Sequence, residues 1–479
     1  NEKLYGEEIW SLFQRLKAAF DPDDLLNPGN VSGDADPTEN LRYDADHEFD
    51  ADFEPVLNWE NENGFRGMTE LCHGCAGCEG HQDTTGGVMC PTYRATENEE
   101  ITSTRGRANM LRRAMTGDLS ADVFGDEFSH EVLDLCIGCK GCKRDCPSGV
   151  DMAKLKTEVT HERHQREGVP LRDRLFANVE TLYSLGSAFA PISNWATKLP
   201  GAGFLAEKTL GVARERELPT FSRSTLQDWG RNRTPTVSAS EADRKALVIP
   251  DPYTDYTQPE VGKAAVRVLE AAGVHVEIAD GVTDSGRPAH SKGLLEQSKA
   301  TAEANVDALA DRVADGWAIV SVEPSDAVMF QEDYLDLLSG AAVERVANNT
   351  YSVLEYIDSF RLDDALDTAA SDELAYHGHC HQTAASRDHH VVGVLRRAGY
   401  TVDVLDTTCC GMAGSFGYEA EHYSMSQAIG RMLFDAADES PAEEIVAPGT
   451  SCRSQLDDYE GVEGKPPHPI EKLAASVSQ

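Results

Sequence analysis

Apolar residues recur at helical spacing in some stretches of this chain and at strand spacing in others, and the change divides it into regions. Ile9, Leu12, Phe13, Leu16 and Phe20 mark an amphipathic helix running into the turn-rich segment Asp21-Pro22-Asp23-Asp24-Leu25-Leu26-Asn27-Pro28-Gly29. Residues 31–66 are polar and acidic without apolar periodicity, which predicts an extended connector. Helical patterning returns over 105–115 and 153–166, inside a region spanning 67–229. Residues 230–245, opening Gly-Arg-Asn-Arg-Thr-Pro-Thr, have linker composition. From Ala246 onward, β-rich runs at 247–249, 274–278 and 318–322 alternate with helical runs at 262–272 and 294–310, the pattern of an α/β unit.

That unit is predicted twice, over 246–345 and 346–479. Val266, Leu269, Ala272, Gly273, Val276, Ile278 and Asp280 recur as Val392, Leu395, Ala398, Gly399, Val402, Val404 and Asp406, all at an offset of 126. One further stretch stands apart: residues 181–197 carry no charge and include Leu182, Tyr183, Leu185, Phe189, Ile192 and Trp195. Core packing is the simpler expectation for it, and a surface facing a quinone or a membrane the sharper one.

Composition narrows the setting. At 479 residues and 40% hydrophobic the chain supports two or three cores. No run of eighteen apolar residues and no signal peptide is recognisable, which predicts a soluble, cytoplasmic protein. A net charge of −39, spread along the chain, repels nucleic acid and predicts a hydrated surface suited to high salt, as in a halophilic source. In a reducing compartment, twelve clustered cysteines are metal ligands before they are disulfides.

Eight of them form two motifs: Cys72, Cys75, Cys78 and Cys90-Pro91, then Cys136, Cys139, Cys142 and Cys146-Pro147. Three thiolates at two-residue spacing hold three irons of one cluster, and the cysteine before proline reaches the other cluster. This assigns one 4Fe-4S cluster to Cys72, Cys75, Cys78 and Cys146, and a second to Cys136, Cys139, Cys142 and Cys90. The first motif has eleven residues between Cys78 and Cys90 where bacterial ferredoxins have three, so Cys90 is the least secure ligand. A structural zinc site is the competing reading. Lys140, Lys143 and Arg144 among the second set either favour the reduced cluster or form an ordinary solvated face.

The remaining four, Cys380, Cys409-Cys410 and Cys452, all fall in the second α/β copy, opposite Thr254, Thr283, Asp284 and Asp326 at the constant offset. Together they point to one metal centre, iron-sulfur or zinc, with a redox-active thiol pair as the remaining option. His377, His379 and His381 flank Cys380 and are each read as non-ligands.

With these motifs placed, the chain resembles the iron-sulfur half of FAD-linked D-2-hydroxyacid dehydrogenases. Residues 20–29 look like the closing signature of the FAD-linked oxidase family, so 1–30 read as the end of that domain. Cys136 to Met152 looks like the α-helical ferredoxin domain of the same proteins. The α/β pair resembles the cysteine-rich CCG domains of glycolate oxidase iron-sulfur subunits, of the iron-sulfur subunit of anaerobic glycerol-3-phosphate dehydrogenase and of heterodisulfide reductase. The first copy has Asp284-Ser285-Gly286-Arg287-Pro288 where the family often has Cys-Cys-Gly-Arg-Pro, and Gln455 stands where heterodisulfide reductase has a further cysteine. The resemblance implies an α+β multidomain fold, a helical ferredoxin domain followed by a duplicated α/β CCG domain of which the first repeat lacks cysteines. It implies electron transfer from FAD in an upstream domain, through two 4Fe-4S clusters, to a quinone or similar acceptor at the inner face of the membrane. The substrate it implies is of the D-lactate type, and the chain alone is expected to be inactive on it. A glycerol-3-phosphate dehydrogenase subunit or a free-standing electron carrier is the alternative.

Overall fold

A computed structural model describes residues 2–36, 38–39, 53–80, 90–96, 99–117, 119 and 122–477. The chain forms two compact units, 1–50 and 51–479. In the first, the predicted helix runs Glu7–Phe20, with Ile9, Leu12, Phe13, Leu16 and Phe20 exposed. The loop after it is built on Asp21, whose carboxylate accepts hydrogen bonds from the Leu25 and Leu26 amides at 2.9 Å each.

The second unit is a mixed helix and parallel-sheet structure. Its helical part is held by Thr104–Met115 and Met152–Glu167. Ala108, Leu111 and Met115 share one buried face of the former, Met152, Leu155 and Val159 one of the latter. Both helices start on side-chain caps: Ser103 accepts from the Gly106 amide and Asp151 from the Lys154 amide. Part of the predicted connector (37 and 40–52) lies outside the described residues. The described end of it does more than connect, because Leu57 is buried against Leu247 and Ile249, and Glu158 accepts from the Val56 and Leu57 amides at 2.7 and 3.2 Å.

Two parallel sheets follow. The first has the order β2-β1-β3-β4, with β1 Arg244–Ile249, β2 Val274–Ile278, β3 Trp317–Ser321 and β4 Thr350–Ser352. The second has the order β6-β5-β7, with β5 Glu373–Tyr376, β6 Thr401–Val404 and β7 Glu444–Val446. β4 carries the first sheet past the boundary expected at 345, because Ile319, Val320 and Ser321 pair with Thr350, Tyr351 and Ser352. The two sheets share a core in which Val248, Leu269 and Val276 cluster with Leu374, Leu395 and Val446, and each also has one of its own, around Ile249 and Ile319 in the first and around Ala375 and Ile445 in the second.

The register refines the offset. Ala246 pairs with Val276 and Ala318, while Leu374 pairs with Val402 and Glu444. The second and third strands therefore correspond at 126, but the first strands at 128 (374 − 246). Cys380, which opens the helix Cys380–Ala384 after β5, stands opposite Pro252 at the start of Pro252–Tyr256, and not opposite Thr254. Likewise Asp251 and His379 are the corresponding caps.

Core packing of 181–197 is overturned. Leu185, Phe189, Ile192 and Trp195 are 53%, 63%, 67% and 65% exposed, on the short helices Val179–Ala188 and Ile192–Ala196 and, for Phe189, on the turn between them. Two helices this short lie on the body and cannot enclose an apolar face of their own. Among the described residues, no helix is long and apolar enough to cross a membrane.

Candidate iron-sulfur and thiol centres

The two cysteine loops have the same backbone form because each must turn its sulfurs toward one point. Gly74 and Gly138 have φ of 77° and 65°, and two residues on, Ala76 and Lys140 have φ of 58° and 60°. The first left-handed position in each loop is a glycine, where that conformation carries no steric penalty.

Cys72, Cys75, Cys78 and Cys146 line one small cavity, together with Arg105 and Val150. Cys90, Cys136, Cys139 and Cys142 line another, together with Thr104 and Arg107. The structure thus brings the cysteines together crosswise, each Cys-Pro cysteine joining the triple of the other motif. Residues 81–89, most of the long spacer before Cys90, lie outside the described residues. Four thiols around one void fit a 4Fe-4S cluster, which would take one iron ligand from each. Without metal, burial pushes the Cys78 thiol up to about 11 and also raises Cys142. Burial and the neighbouring Cys380 and Cys142 thiols hold Cys139 well above the ordinary range. A cluster bound at these positions would therefore displace protons.

Cys90 behaves differently. Burial would raise its thiol, but the Arg107 guanidinium and hydrogen bonds from Thr92 and the backbone lower it. Arg107 is 1% exposed, places Nη1 3.6 Å from Cys90 Sγ and donates from Nε to the Val132 carbonyl at 3.1 Å. The solvated-face reading fails for Lys140 but not for Lys143, which is half exposed. Lys140 is buried and its Nζ lies 2.5 Å from Asp333, and Lys143 Nζ lies 3.5 Å from Glu332, so acids of the first sheet's domain neutralise both.

The second set touches the α/β part directly. The His381 ring Nε2 meets the Gly138 carbonyl at 3.1 Å, and Arg144 donates to the Thr383 carbonyl at 2.5 Å. Both contacts pin the loop of Cys136 to Cys142 against the helix that begins with Cys380.

Cys380, Cys409, Cys410 and Cys452 meet because β5, β6 and β7 are parallel neighbours and each cysteine follows its strand's C-terminal end. Their thiols form a chain: Cys409 hydrogen-bonds Cys380 and Cys410, and Cys410 also meets Cys452. Those bonds and burial hold Cys409 and Cys452 well above the ordinary cysteine range. His377 joins them, since its ring nitrogen, Cys410 Sγ and Cys452 Sγ lie within 4.8 Å of one another. His377 Nδ1 is engaged by Thr407 at 2.8 Å, which leaves Nε2 buried with no partner among the described residues. Its place beside both sulfurs marks it as a ligand candidate that spacing alone did not separate from His379 and His381; the unpartnered nitrogen does not, since His381 Nδ1 is also buried without a partner among the described residues.

Two glycines make room. A Cβ on Gly449 would lie 2.4 Å from the His379 ring and 3.3 Å from Cys452 Sγ, and one on Gly411 (φ 88°) would lie 2.3 Å from the Ser426 carbonyl. Gln455 is fully buried and accepts from Arg216 Nη2 at 2.9 Å, so the position of the missing fifth cysteine holds a structural hydrogen bond. In the first sheet's domain, Ser285, which precedes Gly286 as Cys410 precedes Gly411, one residue out of step with the offset of 126, donates to Asp326 at 2.6 Å, so this domain offers oxygens in place of thiols.

Comparison with known proteins agrees with this layout. Residues 68–150 match the 4Fe-4S dicluster domain, 374–457 the cysteine-rich domain, and 1–31 the C-terminal domain of FAD linked oxidases. The chain is 27% identical to D-2-hydroxyglutarate dehydrogenase of Escherichia coli K12 over 98% of its own length and 49% of that protein's. It therefore spans about half the length of such relatives. A subunit of anaerobic glycerol-3-phosphate dehydrogenase from the same strain is 27% identical over 64% of this chain and 78% of its own. The strain's glycolate oxidase iron-sulfur subunit is 24% identical over 77% and 87%.

Proposed function

We propose that this chain is the electron-transfer part of an FAD-linked D-2-hydroxyacid dehydrogenase, an oxidoreductase in which an upstream flavin domain oxidises the hydroxyacid and an acceptor such as a quinone takes the electrons. The observation that carries the reading is the pair of crossed four-cysteine sets, the second of them pinned by His381 and Arg144 to the helix bearing Cys380. When bound, 4Fe-4S clusters accept and release single electrons. Cys72, Cys75, Cys78 and Cys146 hold one, and Cys136, Cys139, Cys142 and Cys90 the other. Arg107 offsets negative charge at the second, and the Lys140 to Asp333 pair keeps its loop seated.

Cys380, Cys409, Cys410 and Cys452, with His377, form a third centre in the second copy of a duplicated α/β unit. Its softest donors are four thiols, which favours iron-sulfur or zinc. The matched strand orders and offsets support the duplication.

For the substrate, the relatives matched over 98% of the chain are named for D-2-hydroxyglutarate, which favours a D-2-hydroxyacid with a second carboxylate over D-lactate. The match of 1–31 to FAD linked oxidases favours this reading over a glycerol-3-phosphate dehydrogenase subunit. The test is anaerobic addition of D-2-hydroxyglutarate or D-lactate to the protein together with its flavin domain. The reading expects iron-sulfur absorbance to bleach, faster with D-2-hydroxyglutarate, and no response from the isolated chain. Turnover by the isolated chain, or no bleaching in the complete protein, would refute it.

A further inference from the structure

A cavity of about 560 Å³ opens between the helices of 171–188 and the loops that carry the third centre's cysteines. Its inner wall holds Met412 and Gly414, just after Cys410, and Thr450 and Ser451, just before Cys452. Its outer wall is aromatic and aliphatic: Tyr183 meets Phe221 edge-on at 5.3 Å and Tyr253 at 5.8 Å, beside Val179, Leu182 and Leu218. Charged groups of both signs also line it, Glu217 and Asp457 with Arg287, Lys292 and Lys465, and the buried Arg287 Nε–H has no hydrogen-bond partner among the described residues. A cavity with an apolar wall and fixed polar groups has the size and chemistry of a small-molecule site.

The surface beyond it restricts the ligand. Leu182, at the cavity wall, and Leu185, one turn away, lead onto exposed Phe189, Ile192 and Trp195. This face belongs to a segment without charge in a chain of net charge −39. We infer that the cavity binds a lipid-soluble quinone, its flat ring between the Tyr183 wall and the Met412 to Gly414 loop and its aliphatic tail along the exposed face. A hydrophilic acceptor would gain nothing from that face, whereas a quinone's carbonyl oxygens suit the Arg287 donor and its tail the apolar helices. A quinone reduced here gains two electrons, supplied by the hydroxyacid oxidation proposed above, and two protons from water, and leaves as the quinol. The inference rests on that reading for its reductant, but not for binding.

The probe is decylubiquinone, titrated calorimetrically into the cluster-loaded chain without substrate. Saturable one-to-one binding is expected, undisturbed by decanol. Leu182→Glu and Leu218→Glu, both partly exposed, should each weaken it at least tenfold, and Leu182→Met less than twofold. Absence of saturable binding, displacement by decanol, or unchanged affinity in both Glu variants would overturn the inference. The complete enzyme separates the two readings: substrate-driven reduction of ferricyanide by a protein that binds no decylubiquinone overturns the quinone site alone. Binding without any substrate-driven reduction overturns the proposed function alone.

Discussion

The Arg107 guanidinium lies 3.6 Å from the sulfur of Cys90, the cysteine whose spacing fits the ferredoxin pattern least. A buried cation with no ion-paired carboxylate among the described residues persists when negative charge is held nearby, and a cluster bound by Cys90, Cys136, Cys139 and Cys142 would supply it. Arg107→Met should lower the reduction potential of the cluster held by Cys90 by about 60 mV, a tenfold change for one electron. A potentiometric titration followed by electron paramagnetic resonance measures it, and Arg107→Lys should recover part of the shift.

The crossed pairing separates the two Cys-Pro cysteines. Cys146→Ser should disturb the cluster of Cys72, Cys75 and Cys78, and Cys90→Ser that of Cys136, Cys139 and Cys142, each costing up to about half of roughly eight irons. Iron analysis with resonance spectra of the two variants checks this, since pairing within each motif would exchange the two outcomes.

Gly449→Ala places a methyl against His379 and Cys452. Destabilisation of about 1–3 kcal/mol is expected from overpacking, with loss of metal from the third centre and both 4Fe-4S clusters retained. Thermal unfolding and metal analysis on one preparation test it.

His422 ties the helical part to the second sheet's domain, with Nε2 2.9 Å from Asp134 and Nδ1 3.1 Å from Glu419. Burial opposes its charge, but hydrogen bonds to Asp134 and Glu419 outweigh it and raise His422 to about 9. Asp134 and Glu419, despite burial, are held at about 2 by the same histidine, with Lys292 and Arg172 also acting on Glu419. A raised folded pKa gives stability that is full below the unfolded histidine value and is lost as pH rises through about 9. The depressed carboxylates give stability present above their unfolded values and lost as pH falls through about 2. Stability should therefore hold from about pH 5 to 7 and decline toward 9, by on the order of 2 kcal/mol for His422 after solvent screening. Denaturant titrations across pH should show the alkaline decline weakened in His422→Gln.

What could be read from the sequence was what is local in it. Three cysteines at two-residue spacing and a Cys-Pro carry their geometry with them, and the offset of 126 survived in the second and third strands. The first strands differ by 128 because the chain between first and second strands is two residues shorter in the second sheet than in the first, which no local pattern reveals. Arg107 and His377 acquire their roles from partners 17 and 33 or more residues away, so charge type and spacing did not single them out. For 181–197, apolar composition is the same whether a helix is enclosed or faces outward, and only the fold decides between them.

Eight cysteines in two crossed sets are proposed to hold two 4Fe-4S clusters. Iron, sulfide and zinc analysis of the anaerobically prepared chain, with the resonance spectrum of its dithionite-reduced form, tests it most directly. About eight irons and eight sulfides from these sets are expected, with the spectrum of two interacting reduced clusters. Zinc in place of iron, with no reduced-cluster signal, would contradict it.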